Sequence, residues 1–295
     1  MKIIKSIKEM QKWSDKIHKT GKTIGFVPTM GYFHKGHLSL MENAKKNCDF
    51  VIISIFVNPT QFVAGEDYEA YPRDIKKDTE LAQKAGVDII FLPSVQGMYP
   101  DKYSTYVNVQ GNLTSALCGK FRPGHFKGVT TIVAKLFNIV KPDKAYFGQK
   151  DAQQCVVIKR MVKDLNFDLD VVVLPTYREK NGLALSSRNV YLSEEEKNKA
   201  SILYKVLKYA KAKIKSGEQN ANKIISEMKR KIIAVENNAK IDYISIVDPE
   251  TLEDIKIINK NVLIALAVKI GKARLIDNIT VKIPPLWKRG VGEIS

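Results

Sequence analysis

Short apolar segments rich in β-branched residues recur through the first 175 residues, and they constrain the fold more than any other feature of the chain. Each is continuous rather than alternating with polar residues, which is typical of parallel strands buried on both faces of a sheet. Five segments have this character: 23–27, 50–57, 88–92, 145–147 and 169–174.

Segments with apolar residues at helical spacing lie between these strands, at 38–47, 74–85, 129–140 and 152–164. Gly86 and Pro142 supply recognisable helix stops after two of them. Strands that alternate with helices in this way predict an α/β fold. We expect a Rossmann-like doubly wound parallel sheet with its ligand site at the carboxyl ends of the strands.

The pattern changes after Leu192, where Ser193 and Glu196 form the signature of a capping box at the start of a Lys-rich helix. We predict two helices in this part of the chain, at 194–216 and 221–237, and two strands, at 241–247 and 262–269. A length of 295 residues suits two domains. The prediction is a Rossmann-like domain over 1–175 and a smaller C-terminal α+β lid domain over 176–295, with a loosely held tail from Pro284.

The net charge of +17 raises the question of a nucleic-acid partner. The excess of basic residues is nearly even along the chain, with +9 in 176–295 and +8 before it. There is no basic arm and no basic stripe interleaved with aromatic residues. A nucleic-acid-binding protein is therefore an alternative that the sequence does not favour.

Targeting and redox features predict a cytoplasmic protein that does not bind membranes. The longest apolar runs are far shorter than the roughly 18 residues that a membrane span requires. Charges interrupt the N-terminal segment where a signal peptide would be apolar. The cysteines number three and lie far apart at 48, 118 and 155, which favours reduced core thiols over disulfides or a zinc site.

The first candidate motif covers residues 25–38, a strand, a glycine-bearing loop and a helix start. His34 and His37 are three residues apart with Gly36 between them, so both lie at a helix N-terminus, which attracts phosphate. An imidazole can donate a hydrogen bond to a phosphate oxygen and can carry a proton to a leaving oxygen. A structural role for the two histidines remains an equal alternative on the residues alone.

Two further segments carry polar side chains that suit an acid or an anion. Asn58 and Gln61 follow the strongest predicted strand, and their amides can hold a carboxylate, although an ordinary turn with Gln61 in solvent is the alternative. Arg122 lies in a basic, glycine-rich loop at 117–129 and offers a planar fork for a carboxylate. A solvated basic loop explains the same residues equally well, and Tyr71 before Pro72 is weak evidence for any role.

The last two segments suit a phosphate. Lys150 and Asp151 lie at the start of a helix that follows a short strand, with Gln154 one turn further along. Ser186, Ser187 and Arg188 lie in a loop before the second domain, where a mobile loop could close over a triphosphate or form an ordinary turn.

Taken in order, these five segments resemble the motifs of the pantothenate synthetases, the ATP-dependent pantoate–β-alanine ligases of the nucleotidyltransferase superfamily. A His-x-Gly-His motif alone also marks class I aminoacyl-tRNA synthetases and cytidylyl- or adenylyltransferases. The amide pair and the Ser-Ser-Arg-Asn loop narrow the resemblance to one family.

The resemblance implies a two-step reaction with ATP as substrate and Mg²⁺ held mainly by the ATP phosphates. The carboxylate of pantoate attacks the α-phosphate to give pantoyl adenylate, and the amine of β-alanine then displaces AMP to form pantothenate. Family members commonly form homodimers, so small molecules and a second copy of the chain are the implied partners. Another nucleotidyltransferase with a different acceptor is the closest alternative.

The resemblance also implies roles for individual residues. His37, His34, Lys150 and Arg188 would be catalytic, with His37 as the proton donor. The ATP site would be lined by Met30, Gly31, Tyr32, Phe33, His34, Lys35, Gly36, His37, Gly148, Gln149, Lys150, Asp151, Tyr177, Leu185, Ser186, Ser187 and Arg188. Pantoate and β-alanine would bind at Gln61, Gln154, Asn58, Tyr71 and Arg122.

Two residues depart from the family pattern. Gln149 stands where many relatives have glutamate, so a role that needs a charge at this position is not expected here. Tyr177 replaces an aliphatic residue before the Ser-Ser-Arg-Asn loop, and a contact made there by the main chain would survive the change.

Overall fold

A computed structural model describes residues 1–283 of the chain, so the tail predicted from Pro284 lies outside the described residues. The chain divides into two compact units. The first comprises Met1–Ser115, Gly119–Tyr177 and Leu185–Ser187, and the second comprises Ala116–Cys118, Arg178–Ala184 and the described residues from Arg188 to Ile283. The expected boundary at residue 175 stays a prediction.

The first unit is built on a six-stranded sheet in which all strands are parallel. The strands are β1 (Lys2–Ile4), β2 (Ile24–Thr29), β3 (Phe50–Ile55), β4 (Ile89–Phe91), β5 (Lys144–Gly148) and β6 (Asp170–Leu174). Their order is β1-β4-β3-β2-β5-β6, so the direction of winding reverses between β2 and β5. The doubly wound α/β fold is confirmed, and its ligand crevice is expected at this reversal.

Eight helices of the described chain accompany this sheet: α1 (Ile7–His18), α2 (Lys35–Asn47), α3 (Ile75–Lys84), α4 (Val95–Met98), α5 (Asn112–Ser115), α6 (Cys118–Phe121), α7 (His125–Val140) and α8 (Ala152–Asp164). Neighbouring strand residues point to opposite faces, because the side-chain period of a strand is two. Phe26 joins the core formed with α1, α7 and α8, whereas Val27 joins the core formed with α2 and α3. The sheet is therefore covered on both faces.

The second unit contains a three-stranded antiparallel sheet in the order β7-β8-β9. Its main elements are α9 (Glu194–Ala200), α10 (Ile202–Lys215), α11 (Ala221–Val235), β7 (Lys240–Val247), β8 (Val262–Ile270) and β9 (Ala273–Val281). Apolar side chains of α10 and α11 pack with those of the sheet in one core. This confirms the smaller C-terminal α+β fold.

The sequence-based assignment of this unit needs two corrections. The helix predicted over 194–216 is two helices, because the chain turns at Ser201, whose hydroxyl donates to the carbonyl of Asn198 at 2.6 Å. Strand β9 was not predicted, because Asp277 and Asn278 interrupt its apolar pattern. Both of these polar side chains are nevertheless buried.

A buried ion pair explains the polar residues of β9. The guanidinium of Arg178 donates to both carboxylate oxygens of Asp277, at 2.6 and 2.8 Å. Asp277 is only 3% exposed, and the Arg178 guanidinium lies 3.8 Å from the ring centroid of Tyr204. These contacts hold the segment Arg178–Ala184 onto β9.

Replacing Asp277 with asparagine is expected to lower the free energy of unfolding of the second unit by about 3 kcal/mol, because the substitution leaves the buried Arg178 charge uncompensated. Scanning calorimetry would measure the effect as a shift of the transition of this unit. Glu250→Gln is the matched control, since Glu250 is an exposed acid of the same unit. Equal transition temperatures for the two variants would contradict the argument.

The three cysteines are free and buried, as predicted. Burial raises the pKa of the Cys155 thiol to about 12, and burial also raises the pKa of Cys48, whose sulfur lies 3.6 Å from the Tyr146 hydroxyl. Within residues 1–283, no helix has the length and apolarity to span a membrane.

Candidate active site

The loop that joins β2 to α2 forms the centre of the site, at the carboxyl end of a strand beside the reversal of winding. Gly31 and Tyr32 both have positive φ angles, of 85° and 54°, so the chain turns sharply there. The turn ends at His34, which is the N-cap residue of α2. The predicted strand, glycine-bearing loop and helix start are all present.

His34 and His37 form a reciprocal capping box at the N-terminus of α2. The N–H of Gly36 donates to Nδ1 of His34 at 3.1 Å, and the N–H of His34 donates to Nδ1 of His37 at 3.4 Å. The two rings stack with their centroids 4.0 Å apart. Gly36 permits this arrangement, because a Cβ at that position would lie 2.9 Å from Cε1 of His34.

These hydrogen bonds fix the tautomer of both neutral rings. In each ring Nδ1 accepts a hydrogen bond, so the proton resides on Nε2. Burial lowers the pKa of His34 to about 4, and the charge of Lys150 acts in the same direction. Burial, His34 and Lys150 together hold the pKa of His37 well below its ordinary value. Both rings are therefore neutral near pH 7 and carry an Nε2–H donor.

A buried aspartate that the sequence analysis missed holds the loop in place. The carboxylate of Asp78, on α3, accepts hydrogen bonds from the N–H groups of Tyr32 and Phe33, both at 2.7 Å. Burial raises the pKa of Asp78, although these two hydrogen bonds oppose the shift. No local signal identifies this residue, because its partners are main-chain groups more than forty positions earlier in the chain.

The segment after β5 brings a cation to the same site. Gly148 ends the strand, and Gln149, Lys150 and Asp151 form a single 3₁₀ turn before α8. The ammonium of Lys150 lies 3.1 Å from a carboxylate oxygen of Asp151. Lys150 is close enough to lower the pKa of both histidines, so the two predicted phosphate-binding motifs do come together.

Part of the Ser-Ser-Arg-Asn loop also reaches the β2–α2 loop. The hydroxyl of Ser187 donates to the carbonyl of Tyr32 at 3.3 Å. The N–H of Leu185 donates to the carbonyl of Tyr177 at 3.0 Å, and a Cβ on Gly36 would lie 3.6 Å from that of Tyr177. Ser186 belongs to the same segment of the first unit. Arg188 belongs to the second unit, so it is not among the residues that the first unit assembles.

The predicted amide pair forms a separate cluster next to the histidine loop. Asn58 caps the 3₁₀ turn Pro59–Gln61 that follows β3. Its amide nitrogen donates to Oε1 of Gln61 and to the carbonyl of Gly128, both at 3.1 Å. Its oxygen accepts from the hydroxyl of Tyr99 at 2.8 Å. The buried Asn58 side chain thus orients Gln61.

The amide nitrogen of Gln61 lies 3.1 Å from the sulfur of Met30, so the acid-type cluster adjoins the loop of the two histidines. Because Oε1 of Gln61 is held by Asn58, the amide nitrogen is the group that Gln61 directs toward Met30. An N–H donor in this position suits a carboxylate or hydroxyl oxygen.

The remaining predicted acid-site residues have different surroundings. The Arg122 fork is occupied by Glu66, with Nε and Nη2 at 2.5 and 2.6 Å from the two carboxylate oxygens. Tyr71 is buried, with its ring 6.0 Å from that of Phe62. Gln154 is half-buried on α8, one turn after Lys150. Glu66 was not recognised in the sequence, because nothing near it in the chain signals its partner.

Comparison with known proteins identifies the family of the chain. The chain is 54% identical over 283 residues to pantothenate synthetase from Acetivibrio thermocellus. The alignment covers 96% of this chain and 100% of the relative. It is 55% identical over 282 residues to pantothenate synthetase from Caldicellulosiruptor bescii, at 96% and 99% coverage.

Solved structures of pantothenate synthetases also resemble this chain. Pantothenate synthetase from Thermus thermophilus superposes with a TM-score of 0.89 at 44% identity, covering 95% of this chain and 99% of the other. Pantoate–β-alanine ligase from Francisella tularensis, solved with a β,γ-ATP compound and β-alanine, gives a TM-score of 0.78 at 37% identity, at 95% and 97% coverage. Since the sequence profile of the pantoate–β-alanine ligases also matches residues 2–280, the chain belongs to the pantoate–β-alanine ligase family.

Proposed function

We propose that this chain condenses pantoate with β-alanine at the expense of ATP, giving pantothenate, AMP and diphosphate through a pantoyl adenylate. The observation that carries the proposal within the site is the contact between Gln61 and Met30. It joins a cluster suited to an acid with a loop suited to phosphate. The reaction requires the carboxylate of pantoate to meet the phosphates of ATP. The Francisella relative, crystallised with a β,γ-ATP compound and β-alanine, supports the same pairing of substrates.

In the first step, the pantoate carboxylate attacks the α-phosphorus of ATP and diphosphate leaves. Positioning and charge stabilisation dominate such a transfer, so no covalent protein intermediate is required. The Nε2–H groups of His34 and His37 and the ammonium of Lys150 would donate to phosphate oxygens on which negative charge develops. Triphosphate charge beside the rings would also raise their pKa values, which favours proton donation by His37 to the leaving oxygen.

In the second step, the amine of β-alanine attacks the acyl carbon of pantoyl adenylate and AMP leaves. The amide of Gln61 would hold pantoate first and then β-alanine, with Gln154 and Tyr71 on the pantoate side. Arg122 would contribute through Gln61 rather than by contact with the acid, because its fork is occupied by Glu66. Asn58 would likewise orient Gln61.

The remaining ATP-site residues would surround the nucleotide. The loop Met30–His37, with Lys35 in the first turn of α2, would take the phosphates together with Ser186, Ser187 and Arg188. Gly148, Lys150 and Asp151 would contact the ribose and phosphate, with Gln149 also lining the ATP site. Leu185 would close on the triphosphate with the serines that follow it, and the main chain of Tyr177 would contact the adenine.

We also propose that Mg²⁺ enters with ATP, held mainly by its phosphates, and that the enzyme is a cytoplasmic homodimer. Among the described residues, no group of three or more His, Cys, Asp or Glu side chains could hold a metal ion, which is compatible with a metal carried by the substrate. Light scattering in solution would test the dimer, whose mass would be twice 33.3 kDa.

The test of the function is isotope exchange between diphosphate and ATP. The proposal expects exchange only when pantoate and Mg²⁺ are present, and AMP release only after β-alanine is added. Another nucleotidyltransferase would exchange without pantoate, and that result would overturn the proposal. A salt-sensitive band shift with tRNA at physiological ionic strength would favour the nucleic-acid alternative.

Replacing Gln61 with alanine is expected to weaken pantoate binding by roughly ten- to a hundred-fold, the effect of losing one or two buried hydrogen bonds. The affinity for ATP should stay nearly the same, because Gln61 would bind pantoate and β-alanine and not the nucleotide. Isothermal titration with each substrate measures both values. Gln83→Ala is the matched control, because Gln83 is an exposed amide on α3. Loss of ATP binding with intact pantoate binding would reassign Gln61.

A further inference from the structure

His125 is a buried histidine outside the His-x-Gly-His motif, and its ring contacts the turn that carries Gln61. It is the first residue of α7 and is 7% exposed. Its Nδ1 lies 2.7 Å from the main-chain oxygen of Gln61, and its Nε2 lies 3.0 Å from Nη1 of Arg122. His125 lies in the same glycine-rich loop as Arg122, and the sequence pattern predicts no role for it.

The two neighbours of the ring determine where its proton lies. A carbonyl oxygen can only accept a hydrogen bond, so Nδ1 of His125 carries the proton. A guanidinium N–H can only donate, so Nε2 of His125 carries none. The ring is therefore neutral, in the tautomer opposite to that of His34 and His37. In agreement, burial and the charge of Arg122 lower the pKa of His125 to about 4.

Glu66 orients the guanidinium of Arg122, which in turn contacts the ring of His125. Both oxygens of Glu66 accept from Arg122, and the two side chains are only 20% and 15% exposed. This leaves Nη1 of Arg122 for His125, while Nη2 also lies 3.3 Å from the Gln61 oxygen. Burial alone would raise the pKa of Glu66, but the Arg122 hydrogen bonds and charge hold it below its ordinary value. The pair therefore stays ionised.

The contact matters because Gln61 is held from two sides. Asn58 and Met30 hold its side-chain amide, whereas His125 and Arg122 hold its main-chain oxygen. A shift of that oxygen would move the Cα from which the amide extends. Displacements of about 1 Å in such groups are enough to impair binding and catalysis.

We propose that His125 is a positioning residue for the acid site, and that its Nδ1–H, oriented by Arg122 on Glu66, sets the main chain of Gln61. The proposal rests on the proposed function, since it assumes that Gln61 binds pantoate. His125 itself does not touch the substrate in this scheme.

Two matched substitutions separate this role from simple packing. Asparagine places an amide nitrogen near the position of Nδ1, so His125→Asn keeps the donor to Gln61. Glutamine reaches the position of Nε2, so His125→Gln keeps a partner for Arg122 but loses that donor. We expect His125→Gln to raise the KM for pantoate on the order of ten-fold, with the KM for ATP unchanged. His125→Asn should stay within about three-fold of the unsubstituted enzyme.

Long-range ¹H–¹⁵N spectra of the full chain give a readout that does not depend on activity. His125 is expected to show the Nδ1–H form, and His34 and His37 the Nε2–H form. An Nε2–H signal for His125 would overturn the proposal, as would equal pantoate KM values in the two variants or a parallel rise in the KM for ATP. If the unsubstituted enzyme shows no pantoate-dependent exchange while His125 shows the Nδ1–H form, the proposed function fails and the contact with Gln61 stands.

Discussion

The His37→Ala variant is expected to form pantoyl adenylate roughly two to four powers of ten more slowly than the unsubstituted enzyme, the usual loss for a proton donor or an electrostatic donor to a phosphate. Two effects combine in this substitution. It removes an Nε2–H donor, and it removes the Nδ1 that accepts from the N–H of His34 at the start of α2. Single-turnover measurement of adenylate formation with ATP and pantoate reports the step directly.

A control variant separates these two effects from a general loss of stability. His18→Ala changes a histidine at the end of α1, whose Nε2 lies 2.8 Å from the carbonyl of Lys141, and its rate should equal that of the unsubstituted enzyme. His37→Asn keeps an amide at the position of Nδ1 but has no group at Nε2. A rate for this variant close to that of the unsubstituted enzyme would remove the Nε2–H from the mechanism.

The low pKa of both active-site histidines also predicts how stability depends on pH. Unfolded histidines bind protons below about pH 6.5, whereas folded His34 does so only near pH 4. Between these values the unfolded chain holds more protons, so the free energy of unfolding falls as the pH falls. In His37→Ala this dependence should be weaker, which urea titrations at several pH values can measure.

Replacing Gly128 with alanine is expected to destabilise the first unit by about 3 kcal/mol and to weaken pantoate binding. A Cβ at this position would overlap the main-chain oxygen of Thr60 and would lie 2.7 Å from Cα of Gln61. These are main-chain atoms that no change of rotamer can move aside. The turn and α7 would have to separate, and this outweighs the gain of about 1 kcal/mol that alanine brings to a helix.

Asn138→Ala tests the helix contribution alone, since Asn138 is an exposed residue of the same α7. This control should be as stable as the unsubstituted protein or more so, with unchanged affinity for pantoate. Thermal melting measures the stability of both variants, and titration calorimetry measures their affinity for pantoate. A Gly128→Ala protein with ordinary stability and pantoate affinity would show that the close approach has no importance.

The sequence predicts β2, β3, β4 and β5 well, because most of their residues are buried and each strand therefore reads as a continuous apolar run. It fails for β1, whose three residues are too few for a pattern. It also fails for β9, where a buried carboxylate is stabilised by Arg178, 99 residues earlier in the chain. Such pairing is a property of the folded chain and has no local signature.

Some residues of the site are signalled by the local sequence pattern, whereas others are recognised only through distant partners. His34, His37 and Lys150 follow strands and begin helices, so their positions could be inferred from local pattern and topology. Asp78 and Glu66 could not be found, because each is recognised only through partners that folding brings from distant segments. The ion pair between Arg122 and Glu66 has no local signature for the same reason.

The placement of the three thiols provides a built-in probe of unfolding. Cys48 and Cys155 belong to the first unit, whereas Cys118 belongs to the second. A buried thiol reacts slowly with alkylating reagents until its surroundings open, and all three thiols are buried. Brief alkylation followed by mass spectrometry of the separate cysteine peptides would therefore time the opening of each unit in one sample, without any introduced label.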